Sequence, residues 1–329
     1  IGSTKPPVKV TVVEPAIAPS SPSSPRGNVN LALGFILGLG LGVGWALIRE
    51  QLDRTVKSTD QLGELTGAPN LGVVLFDDDA SANHVSALDT RSVKSEGYRT
   101  IRTNMQFVSI DDPVSSVVVT SAVPNDGKTT ISCNLAVALA QGGHKVCLME
   151  ADLRNAQVGP FLGISPAVGL TDVLSGRQSL ENALVKWGRG LIDVLPAGKA
   201  PPNPSELLSS KHMAILIDQL EKQYDYVIID SAPLLLVSDA AQLAAHAGGA
   251  LLVVRYGQTS RDAVTRAATA LAQVNARMLG TVINAMPAKR RGYGYGYGYG
   301  YGASSKDSDR ADAKEPDARE PTSPSAGPR

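Results

Sequence analysis

The chain has 329 residues, room for one large domain or two small ones. Lys plus Arg and Asp plus Glu both number 31, so the net charge is zero and no basic footprint points to nucleic acid. The only cysteines are Cys133 and Cys147, and the four histidines (His84, His144, His212, His246) are scattered. That excludes a disulfide framework and a histidine-spaced metal site, and the thiols suit a reducing compartment.

Residues 1–27 are Pro- and Ser-rich, with Ala18-Pro-Ser-Ser-Pro-Ser-Ser-Pro-Arg26 near their end, and lack the apolar residues of a core. The first residue is Ile, not Met, which reads as a fragment or processed chain. Residues 28–48 read as a transmembrane helix: Val29 to Ile48 is apolar except for Asn30, the length of a bilayer crossing. Gly34, Gly38, Gly40, Gly42 and Gly44 would weaken a soluble helix by roughly 1 kcal/mol each, whereas Gly34/Gly38 and Gly40/Gly44 make G-x-x-x-G pairs suited to close helix contact in lipid. No basic leader or small-residue cleavage site marks a secretory signal. Arg49, Arg54 and Lys57 follow the span against Arg26 before it, which places the C-terminal side in the cytoplasm.

Residues 49–90 read as a juxtamembrane connector, with a helical pattern at Thr59–Gly67, an apolar run Leu71–Leu75 and then Asp77-Asp-Asp. The domain expected over 91–288 opens on Glu96-Gly-Tyr-Arg99-Thr-Ile-Arg102, whose charges share one helix face. They form either an internal ion pair or a ridge offered to a neighbouring subunit. β-Branched strands then alternate with helices: Val117–Thr120, Lys145–Met149, Leu191–Leu195, Tyr226–Ile229, Ala250–Val254 and Gly280–Ile283, with helical patterns at Ser205–Gln223 and Ser260–Asn275. This predicts an α/β fold, a P-loop NTPase-type mostly parallel sheet with helices on both faces, preceded by one transmembrane helix and followed by a disordered tail over 289–329.

The stretch that organises the domain is Val117-Val-Val-Thr-Ser-Ala-Val-Pro-Asn-Asp-Gly-Lys-Thr-Thr130, a strand, a tight loop, Gly-Lys-Thr and a helix. In a P-loop the backbone N–H groups and helix N-terminus wrap a phosphate chain, the lysine neutralises it and the Thr hydroxyl ligates Mg²⁺. Asp126, Gly127, Lys128, Thr129 and Thr130 are the candidate nucleotide-binding residues, although Ala122 stands where the motif's first glycine is usual. Two apolar strands end in acids: Val146-Cys-Leu-Met-Glu150-Ala-Asp152-Leu-Arg154 and Tyr226-Val-Ile-Ile-Asp230. Thr129, Asp152 and Asp230 are candidate Mg²⁺ associates, and Glu150 or Asp152 a base for an attacking hydroxyl, against the alternative that either acid merely caps a helix. Arg291-(Gly-Tyr)-repeat-Gly302 supplies Tyr293, Tyr295, Tyr297, Tyr299 and Tyr301, either low complexity or a flexible string of acceptor phenols.

Together these motifs, with Pro201-Pro-Asn-Pro-Ser-Glu-Leu-Leu208 and Val253-Val-Arg-Tyr-Gly-Gln-Thr-Ser-Arg-Asp262, resemble the bacterial tyrosine kinases (BY-kinases) of capsule and exopolysaccharide biosynthesis, joined to the end of a polysaccharide co-polymerase membrane domain. The resemblance implies an ATP- and Mg²⁺-dependent autokinase at the inner membrane, its kinase domain cytoplasmic, that phosphorylates the tail tyrosines in trans within a ring of copies. It implies catalytic roles for Lys128, Glu150, Asp152 and Asp230, an adenine contact for Asn284 and a ring contact through Glu96, Arg99 and Arg102. Partners implied are polysaccharide polymerase or export machinery and a tyrosine phosphatase. The family usually has Asp where this chain has Glu150, and Gly-Glu where it has Asn125-Asp126. Two rivals stand beside it: an ATP-binding scaffold with little kinase activity, and an ATPase akin to chromosome-partition and division-site proteins. The latter carry a lysine near the position of Ala122.

Overall fold

The computed structural model describes residues 26–76, 85–89, 92–108, 113–165 and 167–288. The tyrosine cluster and most of the Pro/Ser-rich stretch lie outside them.

Helix α1, Gly27–Leu52, buries none of its residues and contains an 18-residue stretch with a mean hydropathy of 2.2, and among the described residues it alone is long and apolar enough to cross a membrane. Helix α2, Thr59–Thr66, starts where the Ser58 hydroxyl accepts the Gln61 N–H and stops at Gly67 in the left-handed region. Strand β1, Asn70–Leu75, follows, and this is where the structure departs from a connector over 49–90: β1 is the edge of the sheet, parallel to its last strand. Helix α3, Val93–Val108, buries Tyr98, Ile101 and Met105 at helical spacing against β1. The approach is close enough that a Cβ on Gly72 would stand 2.6 Å from Ile101 Cγ1.

Strand β2, Ser116–Ser121, is buried throughout and runs through the loop into α4, Lys128–Gln141. Strand β3, Val146–Glu150, leads to short helices α5, Val158–Leu162, α6, Leu170–Leu174, and α7, Leu180–Ala183. Strands β4, Val185–Trp187, and β5, Ile192–Leu195, form a hairpin at the other edge. The helical pattern of 205–223 resolves into α8, Pro204–Leu208, and α9, Lys211–Glu221, because Ser210 caps a new helix by accepting the Met213 N–H. Then come β6, Tyr226–Asp230, α10, Asp239–His246, β7, Gly249–Arg255, α11, Arg261–Gln273, and β8, Met278–Met286.

The sheet order is β1-β8-β7-β2-β6-β3-β5-β4, parallel except for β4. Side chains alternate across it: Val117 and Val119 enter the core beneath α3 and α4, while Val118 enters the one beneath α2, α9, α10 and α11. Both faces are therefore covered, as the near-continuous apolar strands require. Strand β2 lies between β7 and β6, with β3 next to β6, so the loop after β2 and the acids after β3 and β6 share the carboxyl edge, where such sheets bind ligands.

Candidate active site

The loop leaving β2 is shaped by its own residues. Asn125 and Gly127 have φ of +67° and +94°, and Gly127 caps α4. A Cβ on Gly127 would collide with Asn284 Nδ2, so glycine is required there twice over. Three side chains from the β7/β8 side fasten the loop. Asn284 Nδ2 donates to the Asp126 carbonyl at 2.9 Å and Arg255 donates to the Asn125 carbonyl at 2.9 Å. The buried Thr259 hydroxyl donates to Asp126 Oδ1 at 2.7 Å. Burial pushes the Asp126 carboxyl up to about 6 against the pull of that hydroxyl. The α4 N-terminus, with its unpaired N–H groups, is left facing the space above the sheet edge.

The acids take three different stations. Asp230, wholly buried at the end of β6, accepts the Thr129 hydroxyl at 2.8 Å and the Ser132 hydroxyl at 2.9 Å. Burial raises its carboxyl to about 6, with Lys128 pulling the other way. Asp152 pairs with Lys128 at 2.9 Å through Oδ2, and its Oδ1 accepts the Asn155 N–H at 3.1 Å. Glu150 turns to the backbone instead: Oε1 accepts the Val158 N–H at 2.6 Å and Oε2 the Ala197 N–H at 3.0 Å. Burial raises its carboxyl too.

Lys128, Thr129, Asp152 and Asp230 are thus brought together as the sequence predicts, and Gly127 shapes their loop. The structure places others differently. Glu150, a candidate base in the sequence, has both oxygens engaged by main-chain donors. Asn284, expected at an adenine, holds the phosphate loop through the Asp126 carbonyl. Asp126 is buried behind that loop, and Thr130 contributes its carbonyl to the Asn134 amide at 2.8 Å. In the expected subunit ridge, Glu96 and Arg99 pair at 3.0 Å on the surface, but Arg102 donates to the Ala138 carbonyl at 2.9 Å and caps its own molecule's α4. Tyr293, Tyr295, Tyr297, Tyr299 and Tyr301 lie outside the described residues. Arg154, Ser205, Arg255 and Thr259 lie within the sequence motifs, but residue type alone assigns them no role. Arg154 pairs with the buried Asp239 at 3.0 Å and donates to Ser205 at 2.8 Å, tying the turn after β3 to α8 and α10.

Among the described residues no group of three His, Cys, Asp or Glu side chains is arranged to hold a metal by itself. One hydroxyl and two carboxylates beside a phosphate-binding loop nevertheless suit Mg²⁺, a hard cation that takes few protein oxygens and completes its shell with water and phosphate. A fully buried carboxylate raised to about 6 is the group whose charged form a cation would restore.

Residues 119–279 match the family described as an AAA domain. The tyrosine-protein kinase YwqD of Bacillus subtilis (strain 168) is 43% identical over 202 residues, covering 61% of this chain and 85% of that protein. The tyrosine-protein kinase Etk of Escherichia coli (strain K12) is 32% identical over 295 residues, 84% of this chain but 41% of that longer protein. Its solved kinase domain superposes with a TM-score of 0.67 at 31% identity, covering 74% of this chain and 100% of the domain. The BceF tyrosine kinase domain superposes with a TM-score of 0.65 at 28% identity, over 71% of this chain and 100% of that one.

Proposed function

The chain belongs to the bacterial tyrosine kinase family, and on that premise we propose that it transfers the γ-phosphoryl group of ATP to tyrosines 293, 295, 297, 299 and 301 of a neighbouring copy. The observation that carries the reading is the pairing of Lys128 with Asp152 at 2.9 Å beside Thr129 and Asp230 at 2.8 Å, at the tips of strands flanking the phosphate loop. In this reading the loop amides and Lys128 hold the β- and γ-phosphates, and Lys128 gives up Asp152 as it does so. The Thr129 hydroxyl with Asp230 and Asp152 would hold Mg²⁺, directly or through water, and the ion would supply charge neutralisation on the phosphoryl group. The incoming phenol oxygen forms the new P–O bond as the bond to ADP breaks, and Asp152, freed from Lys128, receives the phenol proton. Most of the rate comes from placing these groups.

We place α1 in the inner membrane with the folded domain in the cytoplasm, where ATP is. Arg49, Arg54 and Lys57 on that side support the orientation. The reading extends to a ring of copies acting on capsule or exopolysaccharide polymerase and export machinery, reset by a tyrosine phosphatase. Incubating the chain in detergent with Mg·ATP and blotting for phosphotyrosine tests it. Wild type should label, while Lys128→Met and a variant with all five tail tyrosines changed to Phe should not. Equal labelling of wild type and Lys128→Met would leave an ATP-binding scaffold as the function.

A further inference from the structure

An acid at the end of a strand, two residues from Asp152 and beside a phosphate site, invites the role of general base. The geometry points elsewhere: we propose that Glu150 is a positioning residue, a clamp between the turn that carries Asp152 and the loop after β5, and that it touches neither nucleotide nor acceptor. Its effect on phosphoryl transfer rests on the kinase reading above; the clamp itself does not.

The two donors that Glu150 receives belong to different elements. Val158 opens α5 and closes the turn 151–157; Ala197 lies in the loop that follows β5. The turn is fastened again at its start, where the Ala151 N–H donates to the Asp230 carbonyl at 2.7 Å. The loop is fastened in turn to α6, whose Leu170 and Thr171 N–H groups donate to the Pro196 and Ala197 carbonyls at 2.7 and 3.1 Å. One buried carboxylate therefore gathers the β3 turn, the β5 loop and the start of α6 into a single wall. Asp152, which faces Lys128, stands in that wall.

Length is the property that matters. The carboxyl of an Asp would fall short by about one C–C bond, ~1.5 Å, so both amides could be held only if a loop moved. A Gln would accept from one amide and turn its own N–H₂ toward the other, leaving a buried donor unpaired. Either change displaces Asp152, and a displacement near 1 Å costs on the order of 10²-fold in rate. The fastenings of the phosphate loop come from the opposite flank of β2, through Arg255, Thr259 and Asn284, and do not pass through Glu150.

The test measures three things on the full chain in detergent with Mg·ATP. They are the single-turnover rate of tyrosine phosphorylation against pH, the affinity for a fluorescent ATP analogue, and hydrogen exchange at the Val158 and Ala197 amides. Glu150→Gln should slow transfer by ~10- to 100-fold. Its ATP affinity should fall by much less than the rate, because the bonds that hold the phosphate loop come from Arg255, Thr259 and Asn284 and not from Glu150. The acid limb of the pH profile should stay at the wild-type pH, and Glu150→Asp should fail to restore the rate. Disappearance of the acid limb in Glu150→Gln, or rescue by Glu150→Asp, would identify a base and overturn the proposal. Both amides should be protected in wild type and exchange about 10-fold faster or more in the variants. Unchanged protection overturns the clamp whatever the rates do. If wild type labels no tyrosine, the kinase reading falls alone and exchange still decides the clamp. Should Glu150→Gln fail to fold, Glu150→Asp, which keeps the charge, carries the same readouts.

Discussion

Asp126 ties pH to stability through a single side chain. Its carboxyl moves from 3.8 in an unfolded chain to about 6 in the fold, so the folded state binds the proton more tightly. That contribution is complete below about pH 4 and is lost as pH rises through about 6, and Asp230 contributes with the same sign. Metal-free protein should therefore lose melting temperature from pH 4 to pH 7, and Asp126→Asn should flatten part of the decline. Parallel melting curves for variant and wild type across that range would refute the assignment. Lys128 and Thr129 were legible in the sequence because a strand, a short loop and a helix bring their chemistry together locally, and Asp230 because an acid ends an apolar strand. The work of Glu150, Arg102 and Asn284 was not. Each spends its polar atoms on a main-chain group supplied by another element, Ala197, Ala138 and Asp126 respectively, and residue type alone does not reveal such a partner.

Among elements, the segment after α1 is joined to the phosphate loop by a short chain of bonds. Thr55 bridges Ser260; the Val56 N–H donates to the Thr259 carbonyl at 2.9 Å, and the Gly257 N–H to the Val56 carbonyl at 2.9 Å. The Thr259 side chain then accepts the Arg255 N–H at 2.9 Å and donates to Asp126. Thr259→Val keeps the shape, removes both bonds and strands buried polar groups, a loss of about 1–3 kcal/mol. ATP affinity should fall by about 5-fold or more, and calorimetric titration would show it. Unaltered affinity would mean that the strap and the loop are independent. The same strap explains why 49–90 read as a connector. Asp77-Asp-Asp and the polar residues after α1 have loop composition, and the six residues of β1 form a strand only because β8 offers a parallel edge more than 200 residues later. The six central strands were legible because burial on both faces leaves a near-continuous apolar run for each, whatever their order in the sheet.

At the scale of the whole molecule the decisive quantity is charge. The chain is neutral, with 31 basic and 31 acidic residues, so copies gathered in the proposed ring would meet little net repulsion. Each phosphotyrosine adds about −1.5 to −2, and full modification of the five tail tyrosines would add roughly −7.5 to −10 to every copy. All of that charge enters a segment of alternating Gly and Tyr, where Lys289, Arg290 and Arg291 immediately before it offset only part of the added charge. Repulsion of that size between adjacent subunits acts over about 8–10 Å at 0.1–0.15 M salt and contracts to about 3 Å at 1 M. Incubation with Mg·ATP should therefore lower the oligomer mass measured by analytical ultracentrifugation in 0.1 M salt, and 1 M salt should restore much of it. The five-Phe variant should keep its mass under both conditions. If phosphorylated wild type sediments as the unmodified protein does in 0.1 M salt, charge on the tail does not control assembly, and its phosphates must act by being bound to a partner instead.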